Sequence, residues 1–366
     1  MQPQHDAAMQ PQHDPAIPPA ADDQARALAL AGRCADGAAR ALAWLATRQD
    51  PAGLLTAEHA WLDAGHKGPA ALAAGGRPLE AGRLITWLVR HRLRADGDLG
   101  DPATRQGPAR GAWLYFNAWL AWGAQRSGRV DLSLPAARFI AAQQTGDGSF
   151  PSNPHGPEHV VDLYVTAACG LALLETGAVD AAARAGGFLA RALDDQPRDA
   201  GLTIAWARDD AGAAALRQVP ERAVVRYGRQ ERQWYFAAGM AMVLLARLWQ
   251  ATRDPKVLAA AAAYRAACEA MLPGVARWGQ GGKVGWGAAL SWQAGGDPAD
   301  LALAERILDG YLLATQAADG RWPRDHPVVE TDTAAEFGFI LAEAAHALAA
   351  PLTPPGADGR GGHTAV

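Results

Sequence analysis

Apolar residues recur at three- and four-residue intervals along most of the chain, a spacing typical of α-helices. The predicted helices alternate between two kinds. Amphipathic helices, with Arg, Asp and Glu along one side, suit an outer layer; they are residues 28–47, 78–93, 134–144, 181–194, 255–271 and 298–316. More apolar helices, rich in small residues, suit positions enclosed by neighbours; they are residues 66–75, 112–128, 163–177, 230–252, 285–295 and 331–349. Six outer–inner pairs predict an all-α fold, the (α/α)6 toroid or barrel. The segment 223–227 is the only fair strand candidate.

A recurring turn closes each amphipathic helix. The clearest copies contain Gln144, Asp147, Gly148 and Phe150, and then Gln316, Asp319, Gly320 and Trp322. Weaker copies lie near Asp50, Asp96, Asp199 and Gly274. Glycine adopts backbone angles that other residues avoid, and the Asp side chain accepts from nearby N–H groups, so each copy forms a self-contained corner. Repetition at this interval indicates one repeat domain over residues 25–350.

The corner resembles the repeat of the terpenoid cyclase and protein prenyltransferase superfamily, whose members are α/α toroids. The resemblance implies the barrel. It does not extend to the catalytic motifs of the family, because the D-x-D-D acid is absent and Asp194-Asp195-Gln-Pro-Arg fails the D-D-x-x-D pattern at its last position. The Cys/His zinc set of the prenyltransferases is also missing, so neither a metal nor another cofactor is expected.

Composition narrows the class of partner. The chain has 366 residues and a net charge of −4 with interspersed signs, which argues against nucleic acid as a partner. No apolar run is long enough for a membrane span, and residues 1–24 lack the pattern of a signal peptide, so we expect a cytoplasmic protein. Residues 1–24 and 351–366 are predicted to be disordered. Cys34, Cys169 and Cys268 are expected to pack in the core.

In a toroid of this kind, the inner helices all begin at one end of the ring, which we call the mouth. Helix N-termini carry unpaired N–H groups and favour negative charge. Polar residues at these starts are therefore candidates for chemistry, with a solvated loop, a helix cap or core packing as the alternative for each. The catalytic candidates are His66, Lys67, Asp162, Tyr235 and Glu336.

Candidate substrate-binding residues lie on the same helix starts. They are Trp113, Asn117, Tyr164, Gln230, Arg232, Trp234, Lys283, Trp286 and Asp332. His159 and Asp162, three residues apart, suggest an oriented acid/base pair. Asp332 and Glu336 share a helix face, and a buried carboxylate pair tends to hold one shared proton. The insertion at 203–229 is predicted to form a flap over the mouth.

These candidates predict an enzyme that works by acid/base chemistry on a small molecule, without a cofactor. The leading hypothesis is a cyclase, isomerase or lyase acting on an isoprenoid- or polyketide-like molecule in a central aromatic cavity. A second hypothesis is a carbohydrate-active barrel, an epimerase, lyase or glycosidase, in which Lys67, Arg232 or Lys283 holds the carboxylate of a uronate. A third is a binding scaffold without catalysis.

Overall fold

The computed structural model describes residues 21–103, 105, 110–156, 160–196, 200–207, 217–218 and 223–352. Its α-helices are α1 (Ala21–Thr47), α2 (Trp61–Gly65), α3 (Gly68–Ala74), α4 (Pro78–His91), α5 (Trp113–Arg126), α6 (Val130–Ala142), α7 (Leu163–Glu175), α8 (Val179–Asp194), α9 (Phe236–Thr252), α10 (Pro255–Ala270), α11 (Gly282–Gly295), α12 (Pro298–Ile307) and α13 (Pro327–Ala349). A π-helical turn, Leu308–Leu313, continues α12. Helix α1 begins at Ala21, inside the segment predicted to be a disordered leader; residues 1–20 lie outside the described part. Leu352 packs against the core, so the predicted disordered tail also begins too early.

The inner helices form a closed ring. Each packs against the next in the order α3, α5, α7, α9, α11 and α13, and α13 packs against α3. The outer helices α1, α4, α6, α8, α10 and α12 surround them. The inner helices α5, α7, α9 and α11 are buried over most of their length, as their apolar sequences require, whereas the outer ones bury one face. The predicted all-α toroid is confirmed.

The corner glutamine ties consecutive outer helices together. Gln144 donates through Nε2 to the carbonyl of Gly148 within its own turn, at 3.1 Å, and to the carbonyl of Ala181 on α8, at 2.8 Å. Its Oε1 accepts from Arg184 on α8 at 2.6 Å. Gly148 has a φ of +91°, and a Cβ atom there would lie 2.2 Å from the carbonyl oxygen of Arg184. The corner therefore leaves no room for a side chain.

Two further corners repeat these contacts. Gln49 donates hydrogen bonds to the carbonyls of Gly53 and Glu80 and accepts one from Arg83. Gln316 donates to the carbonyls of Gly320 and Gly37 and accepts from Arg40. Gly37 and Arg40 belong to α1, so the last corner joins the last outer helix to the first. The corner near Asp199 differs: Gln196 bonds the end of its own helix and Thr203, and Asp199 itself lies outside the described residues.

Short strands join the ring beside α7. They are β1 (Val160–Asp162), β2 (Gly201–Thr203), β3 (Ala205–Ala207), β4 (Arg217–Gln218) and β5 (Val224–Arg226), in antiparallel order β1-β3-β4 and β2-β5. Only β5 was predicted from the sequence. The described parts of the predicted flap thus pair with the segment that precedes α7, and Asp162 lies opposite Ala205 in that pairing.

Aromatic side chains meet across the axis of the ring. Trp122 on α5 and Trp286 on α11 stack with centroids 5.6 Å apart and planes 5° from parallel, and Phe339 on α13 packs edge-on against both. Trp119 lies beside them, and all four rings are buried. Since α5 and α11 stand on opposite sides of the ring, this layer fills its centre. The predicted open aromatic cavity is therefore wrong at this level, and Trp286 is a packing residue with no surface for a substrate.

Candidate active site at the mouth of the ring

A cluster of ionic side chains lies at the mouth, on the side formed by α3, α11 and α13. The ammonium nitrogen of Lys67 donates to both carboxylate oxygens of Asp332, each at 2.9 Å, and to Oε2 of Glu336. Lys283 donates to the other carboxylate oxygen of Glu336. Four candidate residues from three different helix starts are thus joined by direct contacts.

The helix starts bring these side chains together. Lys67 immediately precedes α3, and Lys283 is the second residue of α11. Asp332 and Glu336 lie within the second and third turns of α13, which begins at Pro327 and is capped by His326, whose Nδ1 accepts from the N–H of Val328. Neither acid caps the helix, so both carboxylates are free to face the lysines.

The pKa values of the two carboxylates shift in opposite directions. Burial favours the neutral form of each, but Lys283 and Lys67 together outweigh it at Glu336 and hold its pKa well below the ordinary range. At Asp332, burial and the charge of Glu336 outweigh Lys67, and its pKa is raised. Glu336, which we expected to donate protons, therefore keeps its charge, and Asp332 is the member of the pair that binds a proton more readily.

His66 contributes a neutral imidazole beside this cluster. Its Nδ1 donates to the carbonyl of Leu62 at 2.8 Å, so Nε2 carries the lone pair. Burial, followed by the charge of Lys67, lowers the pKa of His66 well below its usual value. Nε2 is buried and has no hydrogen-bond partner among the described residues. The ring packs against Phe116, with centroids 4.4 Å apart. His66 is thus a neutral imidazole held in one tautomer.

An aromatic wall connects the ionic cluster with the start of α7. The Lys283 ammonium lies 6.0 Å from the ring centroid of Tyr115 and 5.5 Å from that of Phe236. Tyr164 packs edge-on against both rings, and Trp234 lies 6.3 Å from Tyr164. Among the described residues, no hydrogen bond is made by the hydroxyl of Tyr115 or of Tyr164. The wall therefore offers polar as well as aromatic contacts.

Asp162 stands two residues before Tyr164, at the other end of this wall. Its Oδ2 accepts from the hydroxyl of Ser152, and it does not cap α7, although capping was the alternative considered for it. Burial raises the pKa of Asp162 to about 6, while the Ser152 hydrogen bond acts in the opposite direction. Asp162 can therefore gain or lose a proton near neutral pH. His159, its predicted partner, lies outside the described residues.

The raised pKa makes stability depend on pH. The folded chain binds this proton more tightly than the unfolded chain, so the free energy of unfolding decreases as pH rises through about 6. The rise from 3.8 to about 6 corresponds to roughly 3 kcal/mol. As pH rises from about 4 to about 7, the free energy of unfolding of Asp162→Asn should increase relative to that of wild type by about this amount, measured by urea unfolding. Asp325→Asn, at an exposed position, is the control, and identical pH profiles for Asp162→Asn and wild type would contradict the assignment.

Trp113 and Asn117, expected to bind substrate, belong to a separate buried network. Its centre is Asp98, a fully buried carboxylate that neither periodicity nor a known motif had identified. Asp98 accepts from Trp113 Nε1 at 2.8 Å, Asn117 Nδ2 at 2.6 Å and His155 Nε2 at 2.9 Å. Arg105 donates to Asn117 and lies 3.6 Å from the ring centroid of Trp113. These partners fix Asn117 as a core amide, and we withdraw its assignment to the pocket.

Three other candidates lie on the loop before α9, outside the ionic cluster. Tyr235 is fully buried and donates to the carbonyl of Glu231 at 2.7 Å, so it is a packing residue and its predicted catalytic role is corrected. Gln230 accepts from Arg277 at 2.6 Å, and the guanidinium of Arg232 lies against the side-chain amide of Gln280. Both are exposed. No described contact joins them to Lys67 or Lys283.

Amino-acid usage gives a further signal for the site. Of 34 basic residues only three are lysines, Lys67, Lys256 and Lys283, and two of these three meet at Glu336. At the opposite end of the ring, a matching carboxylate, Glu343, is held by two arginines, Arg126 at 2.5 Å and Arg247 at 2.7 Å. The buried carboxylate at the opposite end is thus held by arginines, whereas the one at the mouth is held by lysines, which are compact cations with three rotatable donors.

Metal and membrane sites were also considered. Within the described ranges, no group of three or more His, Cys, Asp or Glu side chains has an arrangement that could hold a metal ion. No helix in the described part is both long and apolar enough to cross a membrane. The three cysteines are buried and unpaired, as predicted.

Known proteins resemble this chain in structure rather than in sequence. Neither a protein-family model nor a curated protein sequence matches it. An unsaturated glucuronyl hydrolase specific for heparin has a TM-score of 0.60 at 13% identity over 87% of this chain and 97% of its own. A GH76 α-1,6-mannanase variant from Salegentibacter has a TM-score of 0.60 at 10% identity over 87% and 99%. A type II terpene cyclase from Scytonema has a TM-score of 0.51 at 13% identity over 87% and 99%. These likenesses establish the α/α toroid fold.

Proposed function

We propose that this protein is an enzyme that performs acid/base chemistry on a small sugar acid bound at the mouth of the ring. The observation that carries the proposal is the meeting of Lys67 and Lys283 at Glu336, beside the neutral imidazole of His66. Replacing a buried ion pair by apolar residues is often neutral or stabilising, so stability alone does not explain four buried or half-buried charges here. A role in catalysis or in binding a ligand explains these charges.

Lys283 is the residue suited to hold the carboxylate of the substrate. Among the described residues its ammonium donates only to Glu336, which leaves two of its three N–H groups for a ligand. The faces of Tyr115 and Phe236 beside it suit the apolar face of a sugar ring, and the free hydroxyls of Tyr115 and Tyr164 suit the hydroxyl groups of the sugar. A hydrocarbon chain would leave those hydroxyls and N–H groups unpaired, at a cost of about 1–3 kcal/mol each.

Two groups could move protons on a substrate held in this way. His66 Nε2 carries a lone pair and can accept a proton, while Asp162, with a pKa of about 6, can donate or accept one. The cluster and Asp162 lie at the two ends of the wall formed by Tyr115, Phe236 and Tyr164. A sugar ring on that wall would have a base on one side and an acid on the other, as an isomerase, epimerase or lyase requires.

Thermal shift with matched ligands tests the proposal. D-glucuronate and D-galacturonate should raise the melting temperature, whereas D-glucose and D-galactose, which lack the carboxylate, should not. Lys283→Met removes the cation but keeps an apolar stem, and it should abolish the preference for the acids. Lys256→Met, on the exposed surface of α10, is the control and should keep the preference. Equal stabilisation by acids and parent sugars would refute the proposal.

An isoprenoid-type substrate is the second candidate. The corner repeat and the structural likeness to the Scytonema terpene cyclase favour it. The aromatic layer at Trp122 and Trp286 opposes it, because that layer occupies the space that a long apolar chain would need. Farnesol in the same thermal shift series separates the two: stabilisation by farnesol alone would favour the isoprenoid, and stabilisation by no ligand would favour a scaffold.

A further inference from the structure

Tryptophan exposure is confined to one part of the molecule. The chain has 13 tryptophans, all within the described residues, and only Trp234 and Trp278 are exposed, at 43% and 38%. They lie on the loops that precede the inner helices α9 and α11, and both loops are therefore at the mouth. Large exposed aromatic residues next to a candidate site indicate a binding surface.

The structure holds both rings in place. Trp278 donates through Nε1 to the carbonyl of Gln230 at 2.7 Å, which fixes the edge of the indole and leaves its surface to solvent. Trp234 packs nearly parallel to Phe236, with centroids 5.9 Å apart, and contacts Tyr164. Phe236 also faces Lys283. An aromatic surface thus runs without interruption from the ionic cluster outward to Trp234.

This surface is positively charged. Segments 223–235 and 273–281 carry four arginines, at positions 226, 229, 232 and 277, and a single acid, Glu231, although the whole chain has a net charge of −4. Arg232 and Arg277 are exposed, and their neighbours are the amides of Gln280 and Gln230. No carboxylate of a described residue pairs with either. We call Trp234, Trp278, Arg232 and Arg277 the rim.

We propose that the rim is a binding surface for further units of an acidic oligosaccharide, so that the substrate is a short polyuronate rather than a free sugar acid. Each exposed indole face would stack on one sugar unit, and each guanidinium would pair with a carboxylate of the neighbouring units. The inference rests on the proposed function, since it extends the same ligand outward from Lys283.

Isothermal titration with mono-, di- and trigalacturonate tests the rim. The dissociation constant should fall about tenfold or more from monomer to trimer, because each added unit gains a stacked or paired contact. Trp278→Ala should weaken trimer binding about tenfold while leaving monomer binding within about twofold. Arg277→Gln should weaken the trimer and reduce the dependence of its affinity on salt.

Trp44→Ala is the matched control, because Trp44 on the outer helix α1 also lies next to an arginine, Arg48, but does not belong to the loops that carry the rim. It should change neither affinity. Equal affinity for monomer and trimer would overturn the proposal that the rim binds further sugar units, but it would leave the proposed sugar-acid site intact. A Trp278→Ala variant that loses monomer and trimer binding equally would also overturn it, since the residue would then only support the shape of the site. Failure of every uronate to bind would remove the proposed function as well.

Discussion

Glu336→Gln should lower the free energy of unfolding by about 3–5 kcal/mol at neutral pH. The substitution removes the carboxylate that Lys67 and Lys283 share, and both ammonium groups are almost fully buried. Among the described residues, only Asp332 would then pair with either ammonium group, and it contacts Lys67 alone. Urea unfolding with and without D-galacturonate measures the effect. Because the site becomes more positive, the sugar acid should bind the variant more tightly than wild type and restore part of the lost stability.

Glu343→Gln is the control for this result. Glu343 lies on the same helix, α13, and is held by two cations, but at the opposite end of the ring. Its removal should cost a similar amount of stability, and D-galacturonate should restore none of it. Equal rescue of both variants would show that the acid acts elsewhere, and a Glu336→Gln variant as stable as wild type would contradict the buried ionic cluster.

Gly148→Ala should cost about 3 kcal/mol or more, although only a methyl group is added. A Cβ at this position would lie 2.2 Å from the carbonyl oxygen of Arg184, so α8 would have to move away from the corner. Gly177 separates this effect from backbone strain. Its φ of +88° nearly equals the +91° of Gly148, but no atom lies within 4 Å of the Cβ that would be added. Gly177→Ala should therefore cost only about 1 kcal/mol.

Urea unfolding of the two alanine variants gives both values. A second corner, Gly320→Ala, should behave like Gly148→Ala, because its Cβ would lie 2.4 Å from the backbone of Arg40. Equal losses at Gly148 and Gly177 would show that the corner glycines are required for their dihedral angles alone, and that the corners do not hold the outer helices together.

The fold was predictable because its signals are periodic. Alternating amphipathic and apolar helices, separated by Asp-Gly corners, specify the order of the layers, and the closed ring follows from six such pairs. The boundaries were less predictable: α1 extends back to Ala21, and the short strands beside α7 carry little periodicity. Short strands are specified by their partners across the sheet, which a single sequence does not reveal.

The site was predictable in part for the same reason. Lys67, Lys283, Asp332 and Glu336 were found because charges are unexpected at the starts of apolar helices. Which way each side chain faces was not predictable, since a helix turns by about 100° per residue. Depth was not predictable either: Trp286 lies about one turn farther along α11 than Lys283, and it packs in the aromatic layer that fills the axis. The network around Asp98 was missed because Trp113 and Asn117 lie on α5, whereas Asp98, Arg105 and His155 come from separate loops with no common spacing.

Hydrogen bonds between Gln316 and α1 join the last outer helix to the first without a covalent link. The closed ring should therefore form wherever the two chain ends are placed. Leu28 near the start of α1 and Ala349 at the end of α13 line the same groove, so a short linker could join these helices. A circular permutant with that linker, opened instead at the loop around Gly177, would retain every corner contact. We expect it to unfold in one cooperative transition, as a closed ring should, whereas an open solenoid of the same repeats would fray from its ends.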